Sequence, residues 1–184
     1  MKRVHLRDQP ATPWRNGGGT TRDLLTWPVP DEGWQVRVSV ALIDRSGPFS
    51  VFAGVARWFT VLDGAGVHLD LPAGRHTLRP GDAPLHFDGA DAPGCELIGG
   101  ATHDLNFMAP HAAGRARMQA GLPGSGAAGP TRWRGLFTTS AAVIHIAGAD
   151  HRIDPDTLVW SDDPEAGEWK LVDAGAAWWL TLEA

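Results

Sequence analysis

Three consecutive glycines in PWRNGGGTTRD (residues 13–23), with arginines on both sides, have residue types and spacing suited to holding an anion. Glycine lets backbone N–H groups come close to a small negative group. A phosphate loop of the type G-x-x-x-x-G-K-[ST] needs a lysine after the glycines, and none follows. A dinucleotide fingerprint sits between a strand and a helix; here Pro10 and Pro13 precede the glycines instead. Two readings stay open. One is a glycine turn between strands, which backbone freedom favours. The other is a loop that contacts a small anion without any nucleotide fold.

Arg57 opens the apolar run RWFTVLD (57–63). Inside a barrel it would grip a carboxylate by paired, charge-assisted hydrogen bonds. At a strand end it would reach into water, and the sequence leaves both options open. HDLNFM (103–108) alternates, with Leu105 and Phe107 on one face and Asp104, Asn106 and Met108 on the other. The polar set lines a cavity or faces solvent. His68 and Asp70 share a face of VHLDL (67–71), and His86 follows a Pro-Gly-Asp turn, so the three offer a divergent metal-site pattern. Solvated strand residues are the preferred reading, because the eight histidines are scattered without H-x-H or H-E-x-x-H. Cys95 has no base nearby in sequence and reads as a small buried thiol.

The elements that must position these residues are short strands. In WQVRVSVAL (34–42), Trp34, Val36, Val38, Val40 and Leu42 share one face, and Gln35, Arg37, Ser39 and Ala41 share the other. Frequent Gly and Pro separate further runs of this kind. The stretch 109–130 is rich in Gly, Ala and Pro and reads as a flexible connection, with a short element around 115–120 still open. Strands resume after it in a loose repeat. VHL at 67–69 matches IHI at 144–146, Pro80 matches Pro155, and ELI at 96–98 matches KLV at 170–172. We therefore expect an all-β, cupin-like fold: a two-cupin antiparallel β-barrel in one compact chain. Its halves are expected at about 1–108 and 131–184.

Composition narrows the function classes. A length of 184 residues suits one well-buried domain. A net charge of −5 gives no electrostatic reason to expect nucleic acid or an anionic membrane as partner. One cysteine cannot form an internal disulfide. The start, MKRVHLRDQP, lacks the apolar region of a signal peptide, so a cytoplasmic protein is expected.

PWRNGGGTTRDL, the long segment from WQVRVSVAL through GPFSVFAGVAR to VLDGAG, and HDLNFM occur in this order. Together they resemble the HutD/Ves family of small cupin proteins, most strongly over about residues 13–108. The resemblance implies a two-cupin barrel, often dimeric, so a homodimer is expected. It implies no established catalytic activity, no cofactor, and absence of the metal-ligand set of catalytic cupins. It also implies an association with histidine utilisation and a small anionic metabolite, such as N-formylglutamate, as ligand. On that basis Arg57 would clamp a carboxylate, and Arg37 and Ser39 would line the same cavity. Asn16, Gly17, Gly18 and Gly19 would form the rim and Trp14 an apolar wall. Asp104 and Asn106 would orient Arg57 or the ligand. The competing expectation is a metal-dependent enzyme using His68, Asp70 and His86.

Overall fold

The computed structural model describes residues 1–28, 33–127 and 131–183, and alternation there becomes strand throughout. The first strand is β1 (Lys2–His5). Ten follow: β2 (Thr12–Pro13), β3 (Gly19–Trp27), β4 (Val36–Ile43), β5 (Gly47–Pro48), β6 (Val55–Asp63), β7 (Val67–Leu71), β8 (Gly74–Leu78), β9 (Leu85–Asp88), β10 (Gly94–Leu97) and β11 (Thr102–Pro110). The rest are β12 (Arg115–Ala120), β13 (Gly126–Ala127), β14 (Thr131–Thr138), β15 (Ala142–Ile146), β16 (Ala149–Ile153), β17 (Thr157–Ser161), β18 (Trp169–Ala174) and β19 (Ala177–Glu183). The chain divides into two compact units, Gln9–Ala112 and Met1–Asp8 with Ala113–Ala184. The expected N-terminal half began at residue 1; instead β1 pairs with β17 in the second unit.

In the first unit, a six-stranded antiparallel sheet runs β2-β3-β4-β11-β6-β9. A four-stranded sheet runs β5-β10-β7-β8. Their shared core takes Ile43, Phe59 and Val61 from one sheet and Val67, Leu69 and Cys95 from the other. The second unit has the sheets β1-β17-β14-β19-β12 and β13-β18-β15-β16, with Leu136, Val159 and Trp179 packed among Ile144, Trp169 and Leu171. Among the described residues each unit is two separate ladders, so the expected closed barrel is not found.

The internal repeat is one of topology. The order β9-β6-β11-β4 recurs as β17-β14-β19-β12, and β5-β10-β7-β8 recurs as β13-β18-β15-β16. Its register differs from the sequence match. Val67 opposes Leu78 and Leu71 opposes Gly74 in the first unit; Ala142 opposes Ile153 and Ile146 opposes Ala149 in the second. VHL therefore corresponds to AVI at 142–144, not to IHI. A two-residue shift keeps every side chain on its face, so hydrophobic pattern alone cannot detect it.

The Gly/Ala-rich stretch is more than a connection. β12 pairs along its length with β19, and β13 pairs with β18. Ladder hydrogen bonds need no large side chains, and small residues help here: a Cβ at Gly126 would run into the Trp169 carbonyl.

The triple glycine is a turn from β2 into β3 in which each glycine differs. Gly17 has φ +70°, and the Gly17 N–H donates to the Trp14 carbonyl at 3.0 Å. The Gly18 N–H donates to Asn16 Oδ1 at 3.0 Å. At Gly19 an added Cβ would overlap the Leu42 carbonyl of β4. We expect Gly19→Ala to cost roughly 2–3 kcal/mol of stability, because packed backbone must move. Gly18→Ala, which meets only ordinary contacts, should stay within about 0.5 kcal/mol. Urea midpoints of the two variants check this; equal losses would contradict it.

Candidate functional site

The six-stranded sheet places polar side chains on the face that looks toward the four-stranded sheet. Ser39 on β4 opposes Asn106 on β11, and Arg37 opposes Met108. Met108 in turn opposes Arg57 on β6, and Arg57 opposes Phe87 on β9. The other face of β4 carries Val36, Val38 and Val40, which are also buried. The sheet is thus covered on both sides, and its more polar side borders a cavity of about 660 Å³.

Six of the predicted residues line this cavity: Trp14, Asn16, Arg37, Ser39, Arg57 and Asn106. Gly17, Gly18, Gly19 and Asp104 do not. The glycines shape the loop that brings Trp14 and Asn16 to the mouth. The Trp14 indole N–H donates to Thr21 Oγ1 at 2.7 Å, which fixes the ring.

Arg57 is the centre of the site. Its Nε and Nη2 both donate to Asn106 Oδ1, at 3.2 and 2.7 Å. Its Nη1 is buried and has no hydrogen-bond partner among the described residues. Phe49 lies 4.4 Å, Phe87 5.4 Å and Phe52 5.9 Å from the guanidinium, measured to the ring centroids. Burial, and then the nearby charge of Arg37, lowers its pKa to about 9, well below the usual guanidinium range; Cys95 opposes this. Arg37 is itself neutralised by Asp23, whose Oδ1 lies 2.9 Å from Arg37 Nε and 2.8 Å from Nη2.

Asp104 has a different role from the one expected. It is fully buried and accepts from Thr102 Oγ1 at 2.8 Å through Oδ2, while Oδ1 has no partner. It does not hydrogen-bond to Arg57. Burial pushes its pKa up from 3.8 to about 7, against the Thr102 hydrogen bond and helped by Asp63. Cys95 is buried in the core, and its thiol is pushed up to about 12 by burial and then by Asp104. The thiol belongs to the packing, as its sequence context suggested.

The metal pattern does not assemble. Val67 and Leu69 face the core, which turns His68 and Asp70 outward. His68 Nδ1 lies 2.9 Å from Thr77 Oγ1, and Asp70 accepts from Arg75 Nε at 2.7 Å. His86 lies against Trp58 in a tilted ring contact, with centroids 4.8 Å apart. Among the described residues no three His, Cys, Asp or Glu side chains converge to hold a metal ion.

Several cavity residues escaped the sequence reading. Phe49, Ser50 and Phe52 come from GPFSVFAGVAR, the segment just ahead of Arg57, and Asp23 closes the glycine stretch. The signal for Phe49, Ser50 and Phe52 was their place in the motif GPFSVFAGVAR; for Asp23 it was its place beside the glycines.

Facing antiparallel sheets with an arginine-bearing cavity between them define a cupin-like protein. The chain belongs to the HutD family, whose family model matches residues 6–179. It is 34% identical over 154 residues to an uncharacterized 21.2 kDa protein in the hutC 3′ region of Pseudomonas putida, covering 82% of this chain and 75% of that one. It is 36% identical over 110 residues to protein Ves of Citrobacter koseri, covering 59% of this chain and 57% of that protein. HutD from Pseudomonas fluorescens SBW25 superposes with a TM-score of 0.85 at 27% identity, over 99% of this chain and 97% of that one. A cupin 2 conserved barrel domain protein from Leptotrichia buccalis shares the fold at 8% identity, with a TM-score of 0.59 over 100% and 96% of the two chains.

Asp104 predicts a pH dependence. Its carboxyl ionises near 3.8 when unfolded and near 7 when folded. Between these values the folded state holds the extra proton, so this residue lowers stability as pH rises and does so fully above about 7. Asp104→Asn should therefore gain on wild type by up to a few kcal/mol between about pH 4 and 8. Denaturation midpoints across that range check it; a pH-independent difference would contradict it.

Proposed function

We propose that this protein is a non-catalytic binder of a small anionic metabolite, of the N-formylglutamate kind, that tunes histidine utilisation. The observation that carries the reading is Arg57: a buried cation whose only hydrogen-bond partner among the described residues is a neutral amide, with Nη1 unpartnered among them beside an open cavity. A charge in apolar surroundings is costly unless it is paired. A ligand carboxylate would supply the missing charge and take two parallel N–H bonds. Asn106 holds the guanidinium plane without neutralising it. Trp14, Phe49 and Phe52 offer apolar surface to the body of such a ligand.

The reading includes a cytoplasmic homodimer whose two units are diverged cupin copies. The recurring strand order supports the last point. No helix among the described residues is long and apolar enough to cross a membrane.

A thermal-shift panel of N-formylglutamate, glutamate, urocanate and formate tests the proposal on wild type and Arg57→Met. At least one acid should raise the wild-type melting temperature and leave the variant unmoved. Without ligand the variant should be more stable by ~1–4 kcal/mol, because a desolvated charge is replaced by an apolar chain. A shift of equal size in both proteins would sink the assignment.

A further inference from the structure

Asp104 is a buried carboxyl that the anion site does not use directly. It is fully enclosed, yet Oδ1 has no hydrogen-bond partner among the described residues. The topology does not demand an acid at this place. Asp104, third in β11, opposes Val61 on β6; Trp179, third in β19, opposes Leu136 on β14 in the same way. An indole fills the matching slot of the second unit, while the first unit keeps a group whose charged form burial disfavours.

The surroundings of Asp104 connect it to Arg57. Asp104 and Asn106 alternate on the inner face of β11, and Asn106 Oδ1 holds the guanidinium. Cys95, in the apolar core of the same unit, feels both charges: burial raises its pKa most, Asp104 adds to the rise and Arg57 opposes it. Other groups packed around Asp104 are few. Thr102 Oγ1 donates to Oδ2 at 2.8 Å. Asp63 on β6 acts on Asp104 as a like charge and has His103 Nδ1 3.0 Å from its own Oδ1. On β4 Ala41 opposes Asp104, and β7 adds Val67 and Leu69 to the core. Cys95 stays neutral at physiological pH. Apolar material of this kind screens charges poorly, so Asp104 and Arg57 act on each other without touching.

We infer that Asp104 is a proton switch for the anion site: a carboxylate binds more tightly on Arg57 while Asp104 is protonated, and its hold loosens once Asp104 ionises. This rests on the reading of Arg57 as a carboxylate site and adds to it regulation by pH. Below about 7 Asp104 is neutral, and the interior holds the charge of Arg57 alone. Above that value Asp104 is negative, which offsets Arg57 and repels an incoming anion. The sign follows from linkage. A carboxylate on Arg57 cancels the positive charge that favours ionised Asp104, so binding takes up protons near neutral pH. By reciprocity, affinity falls as pH rises through the same range.

Calorimetry with N-formylglutamate, and with formate as a smaller probe, tests the inference, since both acids stay ionised between pH 6 and 8. Wild-type affinity should fall roughly fivefold from pH 6 to pH 8, the scale of two charges separated by a few side chains. Repeating the titration at neutral pH in buffers of different ionisation enthalpy should show uptake of a fraction of a proton. Asp104→Asn should bind as wild type does at pH 6, lose none of that affinity at pH 8 and take up no proton. Contributions from other titrating groups are common to both proteins and cancel in the comparison. Binding by wild type that neither weakens with pH nor takes up protons overturns the switch and leaves the Arg57 reading standing. The same fall in Asp104→Asn overturns the assignment to Asp104. If wild type binds neither acid at either pH, the Arg57 reading falls, and this inference falls with it.

Discussion

A guanidinium held among phenylalanines and hydrogen-bonded to an amide is the constraint around which the N-terminal unit is arranged. Such a group survives in the interior because the rest of the fold stabilises it. Asn106 takes two of its N–H groups, the rings of Phe49 and Phe87 face it, and the cavity gives it access to solvent or ligand. An acidic partner at position 106 would satisfy the cation permanently and close the site to anions. A neutral acceptor fixes its orientation and leaves its charge available.

The second unit repeats the strand order but fills its interior in another way. The third residue of β11 is Asp104, and the third residue of β19 is Trp179. Trp179 packs in the core with Trp169, and its indole N–H donates to Ser125 Oγ at 2.9 Å. One copy of the topology therefore keeps small and polar groups between its sheets, and the other uses indoles. This accounts for part of the high tryptophan content, nine in 184 residues. The second unit also buries an arginine, Arg134, but its Nη1 donates to the backbone carbonyls of Gly167 and Ala127.

Much of the site was legible as shared faces. Arg37 with Ser39, and Asp104 with Asn106 and Met108, were grouped correctly because side chains alternate along a strand. Which of Asp104 and Asn106 meets Arg57 was not legible. Both lie on the same face, and only the register of β11 against β6 puts the amide, rather than the carboxyl, within reach. The aromatic cage was illegible for a related reason: Phe49 and Phe52 come from a loop, where no periodicity fixes direction.

By itself the sequence determined strand content, the membership of each strand face, the absence of a nucleotide loop and the family. These depend on local chemistry: alternation, turn residues and short motifs. Tertiary structure decided that the polar face of β4 encloses a cavity although its apolar face is buried too. It decided that the glycines shape the loop without lining the cavity, and that no carboxylate among the described residues pairs with Arg57. It also set the repeat two residues away from the alignment that hydrophobic pattern suggested. The reason is common to all four. Alternation records which side chains share a face, whereas the partner that covers that face, and the register at which it does so, come from residues far away in the chain.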